Sequence, residues 1–176
     1  MRKRARGGPE PRPLDELDRR ILQVLERDAE TDPRQIAIML DLPAADVEAR
    51  IANAQASGAI VRRKVVVNWE RTGEPFVLAL IEVKVTPQRE TGFDAIAERI
   101  YRYPEARSVY LVSGTYDLAV HVIGRTMQDV ATFVAEKLAP LDGVQSTVTH
   151  FMLRRYKEDG DVLVGHETAA RLAVTP

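Results

Sequence analysis

Apolar residues recur at helical spacing along the first third of the chain. Leu14, Leu17, Ile21 and Leu25 share one face, with Arg and Asp residues opposite, and the period predicts a helix ending near Asp28. In "TDPRQIAIMLDL", Asp32 reads as an N-cap and Pro33 as the first helical residue, with Ile36, Ala37 and Leu40 on one side of a short second helix. "LPAADVEARIANAQASG" brings Val47, Ile51 and Ala54 onto one face and stops at Gly58, a C-terminal cap. A helix, a short helix, a sharp turn and a third helix make the helix-turn-helix order, in which the third helix lies in a DNA major groove. Any small three-helix bundle shares that outline.

The β-branched run "AIVRRKVVVNW" follows directly, with Arg62, Arg63 and Lys64 at its beginning, as a winged version continues. "ERTGEP" interrupts it and predicts a domain boundary near Gly73. Beyond it the pattern runs strand, helix, strand, strand, helix, strand. "FVLALIEVKV" is a strand, and "FDAIAERIYRY" sets Phe93, Ile96, Ala97, Ile100 and Tyr101 on one helical face. "ARSVYLVS" and "DLAVHVIG" are strands. "TMQDVATFVAEKLAPL" is a helix capped by Thr126, with Met127, Val130, Val134, Leu138 and Leu141 inside, and "GVQSTVTHFML" is the fourth strand.

The order βαββαβ is the ferredoxin-like plan, a four-stranded antiparallel sheet with both helices on one face. The fold class expected is α+β: an N-terminal winged helix-turn-helix followed by a C-terminal ferredoxin-like domain. The expected divisions are a basic arm over 1–13, the helix-turn-helix domain over 14–73, the ferredoxin-like domain over 74–157 and a tail over 158–176, in which "DVLVGHE" adds an edge strand. Both faces of the sheet read as apolar. Val77, Ala79, Ile81, Val83 and Val85 alternate with Phe76, Leu78 and Leu80, and Leu118, Val120 and Val122 alternate with Ala119, His121 and Ile123. Helices cover one face only, so the other is expected to pack against another copy in a homodimer or higher homo-oligomer.

Composition narrows the chemistry. The chain has 176 residues, 45% of them hydrophobic and 29% charged, without an uncharged apolar run of membrane-spanning length. The basic start "MRKRARGGPEPRP" is not followed by an apolar segment, so no secretory signal and no membrane partner are expected, and the location expected is cytoplasmic. Without cysteine there are no disulfides, thiolate nucleophiles or Cys-ligated metal centres. The net charge of −1 conceals an uneven distribution. Arg2, Lys3, Arg4, Arg6 and Arg12 face only Glu10 in the arm, residues 14–58 hold ten acidic and five basic groups, and positive charge returns at Arg62-Arg63-Lys64. A polyanion would meet the arm and that second patch first.

"VYLVSGTYDLAVHV" sets two apolar runs around Ser113, Gly114, Thr115, Tyr116 and Asp117. Gly114 suits a hairpin turn and the Asp117 carboxylate can accept backbone hydrogen bonds, so a plain β-turn explains the segment. His121, His150 and His166 lack metal-ligand spacing, and no phosphate-cradling glycine loop or His–carboxylate motif is present. No enzymatic activity, metal or cofactor is expected.

The stretches "LDELDRRILQVLERDAETDPRQIAIMLDL", "VEARI" followed by "GAI", "VYLVSGTYDLAVHV" and "GVQSTVTHFMLRRYK", in that order over about residues 14–157, resemble the Lrp/AsnC (feast/famine) family of transcriptional regulators. The resemblance implies a regulator that binds double-stranded DNA, oligomerises through its C-terminal domain and senses a small effector such as an amino acid. Carried onto this chain, the DNA contacts fall on Arg34, Ala45, Ala49, Arg50 and Asn53, with Arg62, Arg63 and Lys64 on the backbone and the arm in a minor groove. The effector would meet Ser113, Gly114, Thr115, Tyr116 and Asp117, with Thr147 and Thr149 completing the pocket. The chain departs from the family at the reading helix: Pro43 stands where a Ser or Thr cap is usual, Ala54 replaces the usual Leu, and only Arg50 is basic. Two other readings stay open. One is an effector-binding oligomer whose helix-turn-helix has lapsed, and the other is a tetrapyrrole enzyme on the same architecture using His121 and His150.

Overall fold

In the computed structural model, which describes residues 12–86 and 92–164, the chain divides into two units between Val66 and Val67. The division falls ahead of the expected Gly73 because Asn68 and Trp69 belong to the second unit: Asn68 Nδ2 donates to Leu163 O at 2.8 Å, and Trp69 stacks on Phe76 at 5.7 Å. Arg2, Lys3, Arg4 and Arg6 of the expected arm, and His166, lie outside the described residues.

The first unit holds helices α1 (Glu16–Arg27), α2 (Pro33–Leu40) and α3 (Ala44–Ser57). Asp15 caps α1 in a reciprocal capping box with Asp18, and Asp32 caps α2, accepting from Arg34 N at 2.7 Å. Asp41 takes the left-handed conformation (φ 54°) that stops α2, so Leu42 N reaches back to Ala37 O at 2.9 Å and the chain turns into α3. Gly58 (φ 81°) ends α3 as expected. Ile21, Leu25, Ile36, Ala37, Val47 and Ile51 form the core, the side chains that the helical period selects. No wing follows. Residues 61–68 carry no regular secondary structure, with Val61 and Val65 exposed, because a β-branched run needs a second strand to complete its ladder and none of the described residues pairs with it.

The second unit holds β1 (Val77–Val85), α4 (Asp94–Tyr101), β2 (Ala106–Leu111), β3 (Leu118–Gly124), α5 (Met127–Phe133) and β4 (Val144–Phe151). They make an antiparallel sheet in the order β2-β3-β1-β4. Ile81 faces Val120 on one side and Thr149 on the other, placing Ala79, Ile81, Val83, Leu118, Val120 and Val122 on the helix side, where they pack with Ile96, Ile100 and Val130. Thr126 caps α5 through a capping box with Asp129. Two interior assignments differ. Met127, directly after the cap, and Tyr101, at the end of α4, are exposed, while Phe133 is buried in the core and Tyr103 meets its ring edge-on at 5.6 Å. Gly143 (φ 92°) makes the close turn into β4, where an added Cβ would stand 2.8 Å from Ile96 Cδ1.

The expected edge strand in the tail takes another form. β5 (Lys157–Glu158) and β6 (Asp161–Val162) pair with each other through Asp159 (φ 47°) and Gly160 (φ 98°), separate from the main sheet. An Asp-Gly pair with both φ positive is the two-residue hairpin turn, which folds the segment back on itself.

Candidate nucleic-acid interface and effector loop

α1 carries one carboxylate on its apolar face: Asp18, 1% exposed. A buried charge needs partners. Arg12 supplies a fork, Nη1 to Oδ2 and Nη2 to Oδ1, both at 2.7 Å, and Asp15 N donates at 2.8 Å. Arg50 of α3 completes the network, its Nη1 donating to Asp18 at 3.1 Å and to both oxygens of Asp15 at 2.8 and 2.9 Å, its Nε to Asp46 at 2.9 Å. The hydrogen bonds from Arg50, aided by the Asp18 amide, hold the Asp15 carboxyl at about 2, below its ordinary 3.8. Burial pushes Asp18 up, yet the hydrogen bonds from Arg12, the Asp15 amide and Arg50 together hold it below its ordinary value. Asp15 and then Asp46 raise the Arg50 guanidinium correspondingly.

The residues expected on DNA therefore separate into two sets. Arg50, its side chain 14% exposed, braces α3 to α1. Asn53, one turn on, holds the backbone of Arg12 at two points: its Oδ1 accepts from Arg12 N at 2.9 Å and its Nδ2 donates to Arg12 O at 3.2 Å. Ala45 and Ala49 are exposed one turn apart on α3, with Glu48, Ala52 and Gln55 beside them. Arg34 at the start of α2 is exposed, as are Arg62, Arg63 and Lys64 after α3. Pro43 contributes no side-chain cap to α3. Arg12 was read only as a basic residue of the arm and Asp18 was not singled out in the sequence, although a carboxylate three residues before Ile21 on an apolar stripe is a visible signal of an internal ion pair.

In the second unit, the loop of Ser113, Gly114, Thr115, Tyr116 and Asp117 joins β2 to β3, with Ser113, Gly114 and Thr115 exposed. Asp117 stitches the loop to β1. Its amide donates to Val83 O at 3.1 Å, its carbonyl accepts from Val112 N at 2.9 Å, and its Oδ2 accepts from Val85 N at 2.9 Å. That last contact satisfies a donor where the β1–β4 register shifts between Lys84 and Val85. Lys84 Nζ adds a 3.5 Å contact to Thr115 O. Thr147 and Thr149 are half-buried and pair with Val83 and Ile81 on the helix side of the sheet. Thr147 shares the loop's end of the sheet, one strand beyond Val83 and two beyond Leu118. Thr149 lies one pair further in.

The opposite sheet face presents Leu78, Leu80, Ala119, His121 and Ile123, flanked by Tyr110 (53% exposed) and Val148 (50% exposed). His121 and His150 flank Leu80 there. His121 meets the edge of Tyr110 at 6.0 Å, and His150 Nε2 approaches Glu82 Oε1 at 3.2 Å. Among the described residues no helix is long and apolar enough to cross a membrane.

Comparisons with known proteins agree with this division. A family model described as the AsnC-type helix-turn-helix domain matches residues 14–55, and one described as the Lrp/AsnC ligand binding domain matches residues 78–162. An uncharacterised HTH-type transcriptional regulator of Bacillus subtilis, YugG, is 43% identical over 93% of this chain and 99% of its own length. Among solved structures, MtbAldR superposes with a TM-score of 0.71 at 24% identity, over 82% of this chain and 97% of that one. The transcriptional regulator NMB0573 of Neisseria meningitidis, solved in complex with L-Met, superposes with a TM-score of 0.67 at 21% identity, over 83% and 94%. A relative 43% identical across nearly the whole chain, and family models placed on each of its two units, show that the chain belongs to the Lrp/AsnC family of helix-turn-helix transcriptional regulators.

Proposed function

We propose that this regulator works in the cytoplasm as a homodimer or higher homo-oligomer that grips double-stranded DNA through its first unit and senses an amino acid through its second. The observation that carries the DNA reading is the brace: Arg50 and the Asp15–Asp18 pair fix α3 on α1 while leaving Ala45 and Ala49 exposed. Their methyl groups suit apolar contact with thymine methyls in a major groove, and Arg34, Arg62, Arg63 and Lys64 suit the flanking phosphates. Arg50 and Asn53 then act by holding the helix and the segment before α1, with no direct part in base reading.

The amino-acid reading is supported by the loop chemistry and by the methionine complex of the Neisseria relative. Ser113 and Thr115 offer exposed backbone and hydroxyl groups to a carboxylate, and Asp117 offers Oδ1 to an ammonium while Oδ2 holds Val85 N. The apolar outer sheet face suits a second copy. An effector changes DNA affinity only by its preference between assembly states.

The test is fluorescence anisotropy with DNA from upstream of the protein's own gene against a scrambled duplex, at low and physiological salt, repeated with a panel of amino acids. Selective binding that survives physiological salt and shifts with one amino acid supports both halves of the reading. A second reading, an effector-binding oligomer with a lapsed DNA-binding unit, is favoured by Asp46 and Glu48 on α3 and by the engagement of Arg50 with carboxylates. Equal, salt-labile binding to both duplexes would select it.

A further inference from the structure

Pro11, Arg12 and Pro13 stand together ahead of α1, and of the three only Arg12 has a backbone N–H. α3 meets that donor. Asn53 Oδ1 accepts from Arg12 N at 2.9 Å and Asn53 Nδ2 donates to Arg12 O at 3.2 Å, so one side-chain amide holds both polar backbone groups of one residue. The Arg12 guanidinium is fixed separately, by its fork on Asp18 of α1. This anchorage adds no side chain to the core, since Arg12 and Pro13 are exposed. What it fixes is the point from which the chain before Arg12 departs. That point lies beside the exposed side of α3. Asn53 stands four residues after Ala49 and three before Ala56, both exposed, and helix positions at those spacings are neighbours with Cβ atoms about 5–6 Å apart. Residues 1–11 carry Arg2, Lys3, Arg4 and Arg6 against Glu10. Arg6 precedes Arg12 by six residues and Arg2 by ten, a reach of at most about 20 and 33 Å at about 3.3 Å per residue. Half a duplex turn is about 17 Å, so all four cations can span to the groove next to the one that α3 enters.

We propose that Asn53 is a positioning residue that delivers the basic arm to the duplex beside α3, where Arg2, Lys3, Arg4 and Arg6 bind the phosphates and minor-groove edge of the adjoining half turn. This deepens the DNA reading, on which it rests. The first unit grips DNA with two elements, α3 and the arm, and the bond between Asn53 and Arg12 sets the offset between them. A fixed root confines the arm to the neighbourhood of one duplex and raises the effective concentration of its cations there. Arg12 already occupies both ends of the Asn53 amide, the two groups that an Asn needs for bidentate contact with adenine, so Asn53 acts on DNA through the arm. Neutralising four phosphates contributes about 3.6 to the slope of log affinity against log salt.

Four full-length proteins are titrated with a duplex from upstream of the protein's own gene at several salt concentrations, and with a scrambled duplex. They are the unsubstituted chain, an arm variant carrying Arg2→Gln, Lys3→Gln, Arg4→Gln and Arg6→Gln, the single variant Asn53→Ala, and the combination of all five substitutions. The arm variant should lower the salt slope by about 3 to 4 and weaken binding by about tenfold or more at physiological salt. Asn53→Ala should weaken binding severalfold and lower the slope as well. Alanine is the better helix former, so α3 is kept, and helical circular dichroism verifies it. Added to the arm variant, Asn53→Ala should change neither affinity nor slope, because its effect passes through the arm. Equal losses from Asn53→Ala in both backgrounds would make the residue a base contact or a plain support of α3, and the proposal would fall. An arm variant that binds the duplex as tightly as the unsubstituted chain overturns the proposal and leaves the DNA reading intact. If the unsubstituted chain binds neither duplex, the DNA reading fails and the role of Asn53 fails with it.

Discussion

Replacing Arg50 by alanine separates a structural brace from a DNA contact. Arg50 engages three carboxylates at 2.8–3.1 Å, but Asp15 and Asp46 are 49% and 41% exposed, so solvent screens those pairs. Asp18 is 1% exposed and its contact with Arg50 is shielded. A hydrogen bond to a charged group in such a setting contributes about 1.5–3 kcal/mol. Asp18 keeps its fork with Arg12 after the substitution, so no buried charge is stranded and the larger cost of breaking a buried pair does not apply. For a unit of this size the loss lowers the unfolding midpoint by on the order of 10 °C. Trp69 lies in the second unit, so the first must be followed by its helical circular dichroism. Below the midpoint, the folded variant should bind DNA with an unaltered dependence of log affinity on log salt. A phosphate contact would instead lower that slope by about 0.9. An unchanged midpoint together with a reduced slope would refute the brace and return Arg50 to the DNA.

Asp15 carries the pH dependence of the same network: its folded value of about 2 lies below the ordinary 3.8, so its stabilisation is complete above about pH 4 and is lost as pH falls towards 2. An acid titration of the helical signal should show that loss, and Asp15→Asn should shift it; coincident curves would contradict the assignment. In the second unit, Asp117→Ala leaves Val85 N without its acceptor and should cost about 1–2 kcal/mol of stability, while Asp117→Asn keeps an acceptor and the fold. If amino-acid affinity falls in the folded Asn variant, the carboxylate meets the ammonium; unchanged affinity removes Asp117 from the effector site. Gly143→Ala combines a left-handed backbone with the Ile96 clash and should destabilise the second unit by about 1–3 kcal/mol, read from Trp69 emission in urea. Leu80→Asp, in the middle of the outer sheet face, should yield monomers in sedimentation velocity; intact dimers would place the interface elsewhere.

The elements were legible because each carries its own local chemistry. Asp32-Pro33, Gly58 and Thr126 mark helix ends in the sequence as they do in the structure, and the sheet side chains alternate as read. The misses occur where a second segment decides the outcome. Met127 sits at the correct phase for the core, yet it directly follows the cap and is exposed, and the buried side chains of α5 are Val130 and Phe133. The wing failed for a similar reason: β-branched residues favour extended backbone, but only a partner strand makes a ladder. The Asp159-Gly160 hairpin was a missed local signal, since the pair alone demands that turn.

The candidate site was harder to read because a cation's role depends on what lies opposite it. As the only basic residue on α3, Arg50 invites assignment to DNA, and the acidic excess of residues 14–58 then argues against binding. In the fold, Asp15, Asp18 and Asp46 meet Arg12 and Arg50, so these five charges compensate each other to within one unit. The i,i+4 spacing of Asp46 and Arg50 hinted at this, but the contacts that decide it span 32 and 35 residues. Two of the five excess negative charges of residues 14–58 thus belong to internal bonding between helices. In the proposed reading, a duplex at α3 would meet the exposed Glu48, with Asp32 and Asp41 nearby in sequence, against Arg34 and the Arg62-Arg63-Lys64 cluster, so the charges that decide binding are these exposed groups and not the total.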